Sequence, residues 1–323
     1  MENSNRFIEN LAPIVLFTYN RPRHVNLTIE ALKKNKYAED SNIFIYSDNA
    51  KTQKEQEKVN EVRKIINNVS GFKSVHVVER EDNYGLGKNI IEAVTEVVEK
   101  YGKVIVLEDD IITSPFFLDY MNKALLLYED EKKVMSISGY TPPIDVKNIE
   151  EDTFFMSWPD CWGWATWKRV WDKFERNPQK LINNTGKLLK NKININGNAP
   201  FMWSQVIDNN KGKKYTWAIF FHALICRENG LTLYSKHSLT SNEGMDGTGT
   251  DSGVKDSYNV NIVQENEIRY FPQKISVNKF ADEALVNFYK SINYQQKKWF
   301  RIINVIKKEG IMGIKKRIIK RKI

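Results

Sequence analysis

Cysteine is nearly missing from this chain: Cys161 and Cys226 stand alone among 323 residues. With no CxxC pair and no spacing framework, a disulfide-stapled scaffold is excluded and a reducing compartment is expected. Long apolar runs are missing too. No stretch reaches the roughly 18 apolar residues of a spanning helix. Residues 1–10 are polar and lack the apolar middle of a secretory leader. Nor does the composition fit a disordered or collagen-like chain: 41% of residues are hydrophobic and 28% charged, as in soluble globular proteins. The length allows one large domain or two modest ones. A cytoplasmic protein is the expectation.

The net charge of +9 suggests nucleic acid, but its location argues against that partner. From Lys297 onward there are eleven Lys or Arg and one acid, so the first 296 residues carry a net charge of −1. Trp299, Ile302, Ile303 and Ile306 recur there at helical spacing among lysines and arginines, and Ile311, Ile314, Ile318 and Ile319 continue the pattern. This predicts a basic amphipathic tail that lies on an anionic membrane surface. The protein would then be peripherally membrane-associated.

The first 140 residues alternate short apolar runs with amphipathic stretches, which predicts a βαβ sheet. Strands are expected at Pro13–Tyr19, Asn42–Ser47, Ser74–Glu79, Lys103–Leu107 and Val134–Ser138. Helices are expected at Val25–Asn35 with Leu27, Ala31 and Leu32 on one side, at Gln56–Val69, at Gly85–Tyr101 and at Ser114–Tyr128. The Gly85–Tyr101 helix gathers Ile90, Ile91, Val94, Val97 and Val98 on one face. Past Gly139 aromatics crowd together through Trp171. Ser241–Gly253 is polar and glycine-rich, a mobile loop by composition.

The most informative feature is Glu108-Asp109-Asp110 at the end of the apolar strand KVIVL. Ligands of open α/β sheets bind at the carboxyl ends of strands. Acids so close repel unless solvated, paired or metal-bound, and hard Mg²⁺ or Mn²⁺ suits oxygen ligands. Alternation along a strand would set Glu108 and Asp110 on one side.

Three other strand ends carry polar groups. Thr18, Asn20 and Arg21 follow the first strand, and Arg21 offers a planar fork for base or phosphate. Asp48 ends the second, able to accept from a ribose or a uracil N–H. Asn83 and Lys88 flank a glycine turn that opens a helix after the third, where phosphate could meet backbone N–H groups. That turn follows the third strand and is not GxGxxG, which excludes a dinucleotide fold. His222 and His237 lack ligand-spaced partners and read as structural.

On PIVLFTYNRP, IFIYSDNA, NYGLGKN, VIVLEDDIITSPFFLDYM, WPDCWGWATWKRVW and NGLTLYSKHSLTSNEGMDGTGT, in that order, residues 12–255 resemble bacterial GT-A glycosyltransferases. These are related in pattern to α-mannoside β-1,2-N-acetylglucosaminyltransferase I. The resemblance implies an α/β GT-A fold: a mixed, mostly parallel sheet between helices, followed by a C-terminal helical tail. It implies that Asp110 holds the metal, Mn²⁺ or Mg²⁺, with Glu108 and Asp109 beside the donor. Asp48 would contact uridine and Arg21 would lie near the base. Asp160, Trp162, Gly163 and Trp164 would line the sugar pocket, and Asn242 to Thr250, Gly247 included, would close over the donor.

Inverting members carry a base aspartate beside a tryptophan. Here that tryptophan is Trp217, followed by Ala218, which leaves Asp160, Asp208 and Asp246 as alternative bases. The expected function is metal-dependent transfer of a sugar from a nucleotide-sugar, a UDP-sugar, to a glycan or lipid-linked acceptor with inversion. The expected layout is a GT-A domain over 1–255, a connection over 256–284 and basic helices over 285–323. A non-catalytic sugar- or nucleotide-binding relative and a nucleotidyltransferase are the alternatives. The latter should carry a glycine-rich loop after the first strand, and TYNRPRH has no glycine.

Overall fold

The computed structural model describes residues 7–246, 256–262, 264 and 267–293. The basic tail expected from Lys297 onward lies outside them. Among the described residues no helix is long and apolar enough to cross a membrane.

Continuous apolar runs become the middle of one sheet. Strands β1 (Ile14–Thr18) and β4 (Lys103–Glu108) are buried along almost their whole length, as strands covered by helices on both faces must be. Between them in sequence come α1 (Pro22–Lys33), β2 (Asn42–Ser47), α2 (Gln56–Ile66), β3 (Ser74–Glu79) and α3 (Leu86–Tyr101). Proline at the first turn starts α1, where its missing N–H costs nothing. Gly102, left-handed at φ 76°, ends α3, as a residue without Cβ readily does. Ile90, Val94, Val97 and Val98 are buried on α3 as its periodicity predicts. On α1 the buried face is Val25, Thr28, Ile29 and Leu32, with Leu27 exposed. Thr28 can sit inside because its hydroxyl donates to Asp109 O at 2.9 Å.

Next follow β5 (Ile111–Thr113), α4 (Phe117–Leu127), β6 (Val134–Ser138), β7 (Thr153–Met156) and β8 (Trp164–Trp167). Short helices α5 (Lys168–Trp171), α6 (Pro178–Asn183) and α7 (Lys187–Ile193) then lead to α8 (Pro200–Asn210), α9 (Ala218–Glu228), β9 (Leu231–Ser235) and β10 (Thr240–Asn242). The eight-stranded sheet runs β3-β2-β1-β4-β8-β6-β9-β7. Its pairs are parallel except those that β8 makes with β4 and β6 and that of β7 with β9. It is the mixed, mostly parallel sheet the sequence implies. A separate ribbon pairs β5 with β10.

Two apolar cores result. The larger is mostly aliphatic and fills the sheet from β3 to β9. The second gathers Phe154, Trp158, Trp203, Phe220 and Tyr234 with Leu285 and Tyr289 of a helix over 279–293. Asp282 fastens that helix by accepting from Ser157 Oγ at 2.6 Å and Ser157 N at 3.0 Å.

Candidate active site

β1 is followed in sequence by β2 and β3 on one side, yet its other neighbour is β4. Where the winding reverses in this way, an open α/β sheet forms a crevice beyond the carboxyl ends of the two strands. Arg21 follows β1 and the three acids close β4, so both reach that crevice.

β4 ends at Glu108, and Asp109 and Asp110 already lie in the turn toward β5. Strand alternation therefore stops short of Asp110, and it is the adjacent pair that shares a cation. Arg21 Nη2 donates to Asp109 Oδ1 and, at 2.8 Å, to Asp110 Oδ2. Tyr19 N adds a bond to Asp109 Oδ2 at 3.3 Å. One guanidinium against three carboxyls leaves the cluster short of positive charge. Burial first, then Asp110 and Asp109, push Glu108 up to about 8. Burial likewise lifts Asp109 to about 6 against the pull of Arg21. Asp110 Oδ1 is buried without a hydrogen-bond partner, which in a native structure calls for an explanation.

The β5–β10 ribbon lays the late turn over these acids. Asn242 pairs with Ile111, and Glu243 N donates to Asp110 O at 2.9 Å. A Cβ on Gly244 would stand 2.0 Å from Asp110 Oδ2 and 2.8 Å from Arg21 Nη1, so any side chain there would have to displace both groups. Asn242 Oδ1 accepts from Gly244 N at 2.8 Å and holds the turn.

Among the described residues no three His, Cys, Asp or Glu side chains are arranged to hold a metal by themselves. What the cluster offers is one unpartnered hard oxygen in an acidic, under-neutralised setting. That fits a Mg²⁺- or Mn²⁺-type ion whose shell is completed by water and phosphate oxygens, the usual way Mg²⁺ is held.

Elsewhere around the crevice the polar groups take unequal parts. Asp48 accepts from Tyr84 N and Gly85 N, both at 2.8 Å, and from Asn83 Nδ2 at 3.3 Å. The backbone donors of the glycine turn are thus engaged by Asp48. Gly87 makes room for the Tyr215 carbonyl, which a Cβ would meet at 2.7 Å. Lys88 Nζ lies 4.0 Å over the Tyr84 ring and 3.6 Å from Glu92. Asn20 donates to Glu55 at 3.3 Å, and the Thr18 hydroxyl is buried without a partner at the end of β1.

Asp160 borders a cavity of about 290 Å³ walled by Trp158, Cys161, Trp162, Trp217 and Ala218 among others. Trp162 N donates to Asp160 Oδ1 at 2.9 Å, and burial pushes the carboxyl up to about 6. Gly163, at φ 77°, passes beneath β10, where a Cβ would meet Thr240 Cγ2 at 2.8 Å. Trp164 does not line the cavity. It is 1% exposed, and its ring stacks on Trp217 with centroids 4.9 Å apart. All four residues of β8 are buried, and Trp164 belongs to the larger core. Asp208 lies on α8 outside the cavity walls. Asp246 ends the 3₁₀ turn Glu243–Asp246, and Gly247 lies outside the described residues. His222 Nε2 donates to Ile193 O at 3.0 Å, burial lowers the ring to about 4, and the ring borders the same cavity.

Sequence reasoning missed the far wall, formed by Tyr258, Leu285 and Tyr289. Nothing in their spacing signals it, because contacts so distant in sequence leave no local period.

The fold and this site define a glycosyltransferase. The profile of the GNT-I family matches residues 3–180, more than half of the chain, and the chain belongs to that family. No curated protein matches it. Among solved structures it is similar to the mannosyltransferase PcManGT from Pyrobaculum calidifontis, in complex with GDP-Man and Mn²⁺. That similarity has 13% identity over 53% of this chain and 52% of the other, with a TM-score of 0.35. It is also similar to S. aureus TarS, with 18% identity over 40% of this chain and 21% of that one, and a TM-score of 0.29. TarS 1–349 in complex with UDP gives the same identity and score over 34% of its length. The chain thus aligns with about half of PcManGT and less of TarS.

Proposed function

We propose that the protein moves a sugar from a UDP-sugar to a hydroxyl of a glycan or lipid-linked glycan, with inversion at the anomeric carbon. The observation that carries this reading is Asp110 Oδ1, a buried carboxylate oxygen without a partner in an acid cluster at the β1/β4 crevice. Asp110 would hold Mn²⁺ or Mg²⁺, which when bound supplies Lewis-acid stabilisation to a departing diphosphate.

This chain's own residues do the rest. Arg21, between Asp109 and Asp110, is the nearest cation for a phosphate oxygen. Thr18, Asn20, Asp48 and Asn83 border the nucleoside side, and Lys88 lies at the outer edge. Glu108 and Trp162 flank the sugar. Asp160 is the base: it takes the acceptor hydroxyl proton as that oxygen bonds the anomeric carbon and the bond to diphosphate breaks. A carboxyl lifted to about 6 still ionises at neutral pH and has a stronger hold on the proton than an exposed aspartate. The Gly244 turn keeps water from the donor. The basic tail from Lys297 would hold the enzyme at an anionic membrane, where a lipid-linked acceptor resides. Deleting residues 297–323 should then release it from such vesicles.

A UDP-sugar panel with Mn²⁺ tests the reading: one donor should be hydrolysed slowly and transferred faster on adding acceptor. Asp110→Ala should lower the rate about 100-fold or more, as loss of a charge-stabilising group does. Equal rates with and without that carboxylate would end it. Ala218 beside Trp217, where the resemblance leads one to expect an acid, favours a second reading: a binder without turnover, for which UDP-sugar binding would persist with no hydrolysis by either chain.

A further inference from the structure

The cavity beyond Asp160 has walls that the family match does not reach. Phe201, Met202 and Gln205 come from α8, Tyr258 from the 3₁₀ turn Asp256–Tyr258, and Tyr289 from the helix over 279–293. All lie past residue 180, where the match ends. About 290 Å³ is near the lower end of the roughly 300–1,000 Å³ typical of small-molecule sites, enough for one sugar ring and not for a chain.

The polar groups in it are few, and some are spent. Tyr234 donates its hydroxyl to Trp158 O at 2.9 Å. His222 is engaged with Ile193 O. Others are open: the walls carry the Tyr289 hydroxyl, the Trp162 and Trp217 indole N–H groups and the Asp160 carboxylate. Among them the Gln205 carboxamide, for which no hydrogen bond is found among the described residues, is the one amide. An amide presents a carbonyl acceptor and N–H donors together, the complement of an acetamido group. The surrounding Phe201, Trp162 and Tyr289 rings and the Met202 thioether suit a methyl and a C–H face. A plain hexose would set a hydroxyl, not a methyl, against those apolar faces.

Position assigns the role. Inverting displacement needs the nucleophile on the side away from the departing diphosphate. Thr240 on β10 donates its hydroxyl to Trp162 O at 2.7 Å, and the turn after β10 bonds Asp110 O through Glu243 N at 2.9 Å. The segment that carries Asp160 is thus tied to the acid cluster, and Asp160 itself lines the cavity. We infer that this cavity is the acceptor subsite and that it takes an N-acetylated pyranose. The inference rests on the reading of Asp160 as base and of the acid cluster as the diphosphate site.

Direct binding to the full-length chain tests it, read by saturation-transfer NMR with methyl glycosides of N-acetylglucosamine, glucose and fucose. The N-acetylated glycoside should bind about 10-fold or more tightly than the other two, because a site built for a polar group rejects its absence. Gln205→Leu should erase most of that preference. Met202→Trp, which fills the cavity, should abolish glycoside binding and leave the Kd for UDP with Mn²⁺ unchanged. Equal binding of the three glycosides overturns the inference, as does undiminished binding to a folded Met202→Trp chain. If Met202→Trp does not fold, the Gln205→Leu comparison decides alone. Loss of UDP-sugar binding with glycoside binding retained would give the cavity to the donor instead. The glycoside arm runs without nucleotide. A native chain that fails to bind UDP with Mn²⁺ therefore overturns the donor-site reading, while the glycoside result still decides the cavity.

Discussion

The molecule holds two unlike regions on one sheet. From β1 to β5 the strands are aliphatic and mostly parallel, and the polar groups are concentrated where they end: Arg21, Asp48 and the three acids. Past Gly139 the sheet turns partly antiparallel, the core becomes aromatic, and polar groups are sparse around one cavity. In the first region charge is gathered and left under-neutralised, which suits an anionic donor. In the second, flat apolar faces and a few hydrogen-bonding groups suit a neutral ring. Asp160 lines the cavity, on a segment that Thr240 of β10 ties toward the acids through Trp162 O.

The sharpest way to break that comparison is at Asp160 itself. Asp160→Asn should lower turnover about 10²–10⁴-fold, the range for a lost general base, with Kd for UDP and Mn²⁺ retained. In the native protein, kcat/KM should fall as pH drops through about 6, since the protonated acid cannot accept. A profile flat from pH 5 to 8 would remove Asp160 from the reaction.

Next comes Trp164, which the family resemblance sets in the sugar pocket and which lies inside the core. Trp164→Ala should cost about 3–5 kcal/mol of stability by denaturant melt, as large aromatic truncations do. Trp164→Phe should keep the donor KM. A changed donor KM in a stable Trp164→Phe chain would return the ring to the site.

Gly244→Ala tests the lid in the first region. The added methyl meets Asp110 Oδ2 and Arg21, so about 1–3 kcal/mol of overpacking strain is expected, seen as a lower Tm and weaker metal-dependent binding of UDP. An unchanged melt would mean the turn normally stands off the acids. The smallest effect belongs to Leu188, 88% exposed on α7. Leu188→Ser should alter stability by no more than about 0.5 kcal/mol, and a larger loss would reveal a partner surface on that helix.

Much of the first region was legible because its signals are local. Ile14–Thr18 and Lys103–Glu108 read as buried strands from their unbroken apolar runs, and Ile90, Val94, Val97 and Val98 gave the buried face of α3. Legibility failed where partners came from afar. Leu27 looked like a core residue, but Thr28 is buried in that part of α1 because Asp109 O, 81 residues away, accepts its hydroxyl. Glu108 and Asp110 were expected on one side; the strand ended first, and Arg21 drew Asp109 and Asp110 together instead. The aromatic crowd from Phe154 to Trp171 announced packing but not which rings would face a cavity.

Sequence alone determined that acids cap a buried parallel strand, that other strand ends carry polar groups, and that glycines punctuate the late loop. Each follows from period and chemistry within a dozen residues. Only the tertiary structure decided that Arg21 bridges two of the acids, that Gly244 is pressed onto Asp110, and that Asp160 shares a cavity with Gln205 and Tyr289. Those choices depend on strand order and on a ribbon joining residues more than 100 positions apart. A chain encodes such contacts through the packing of the whole sheet, and no local spacing records them.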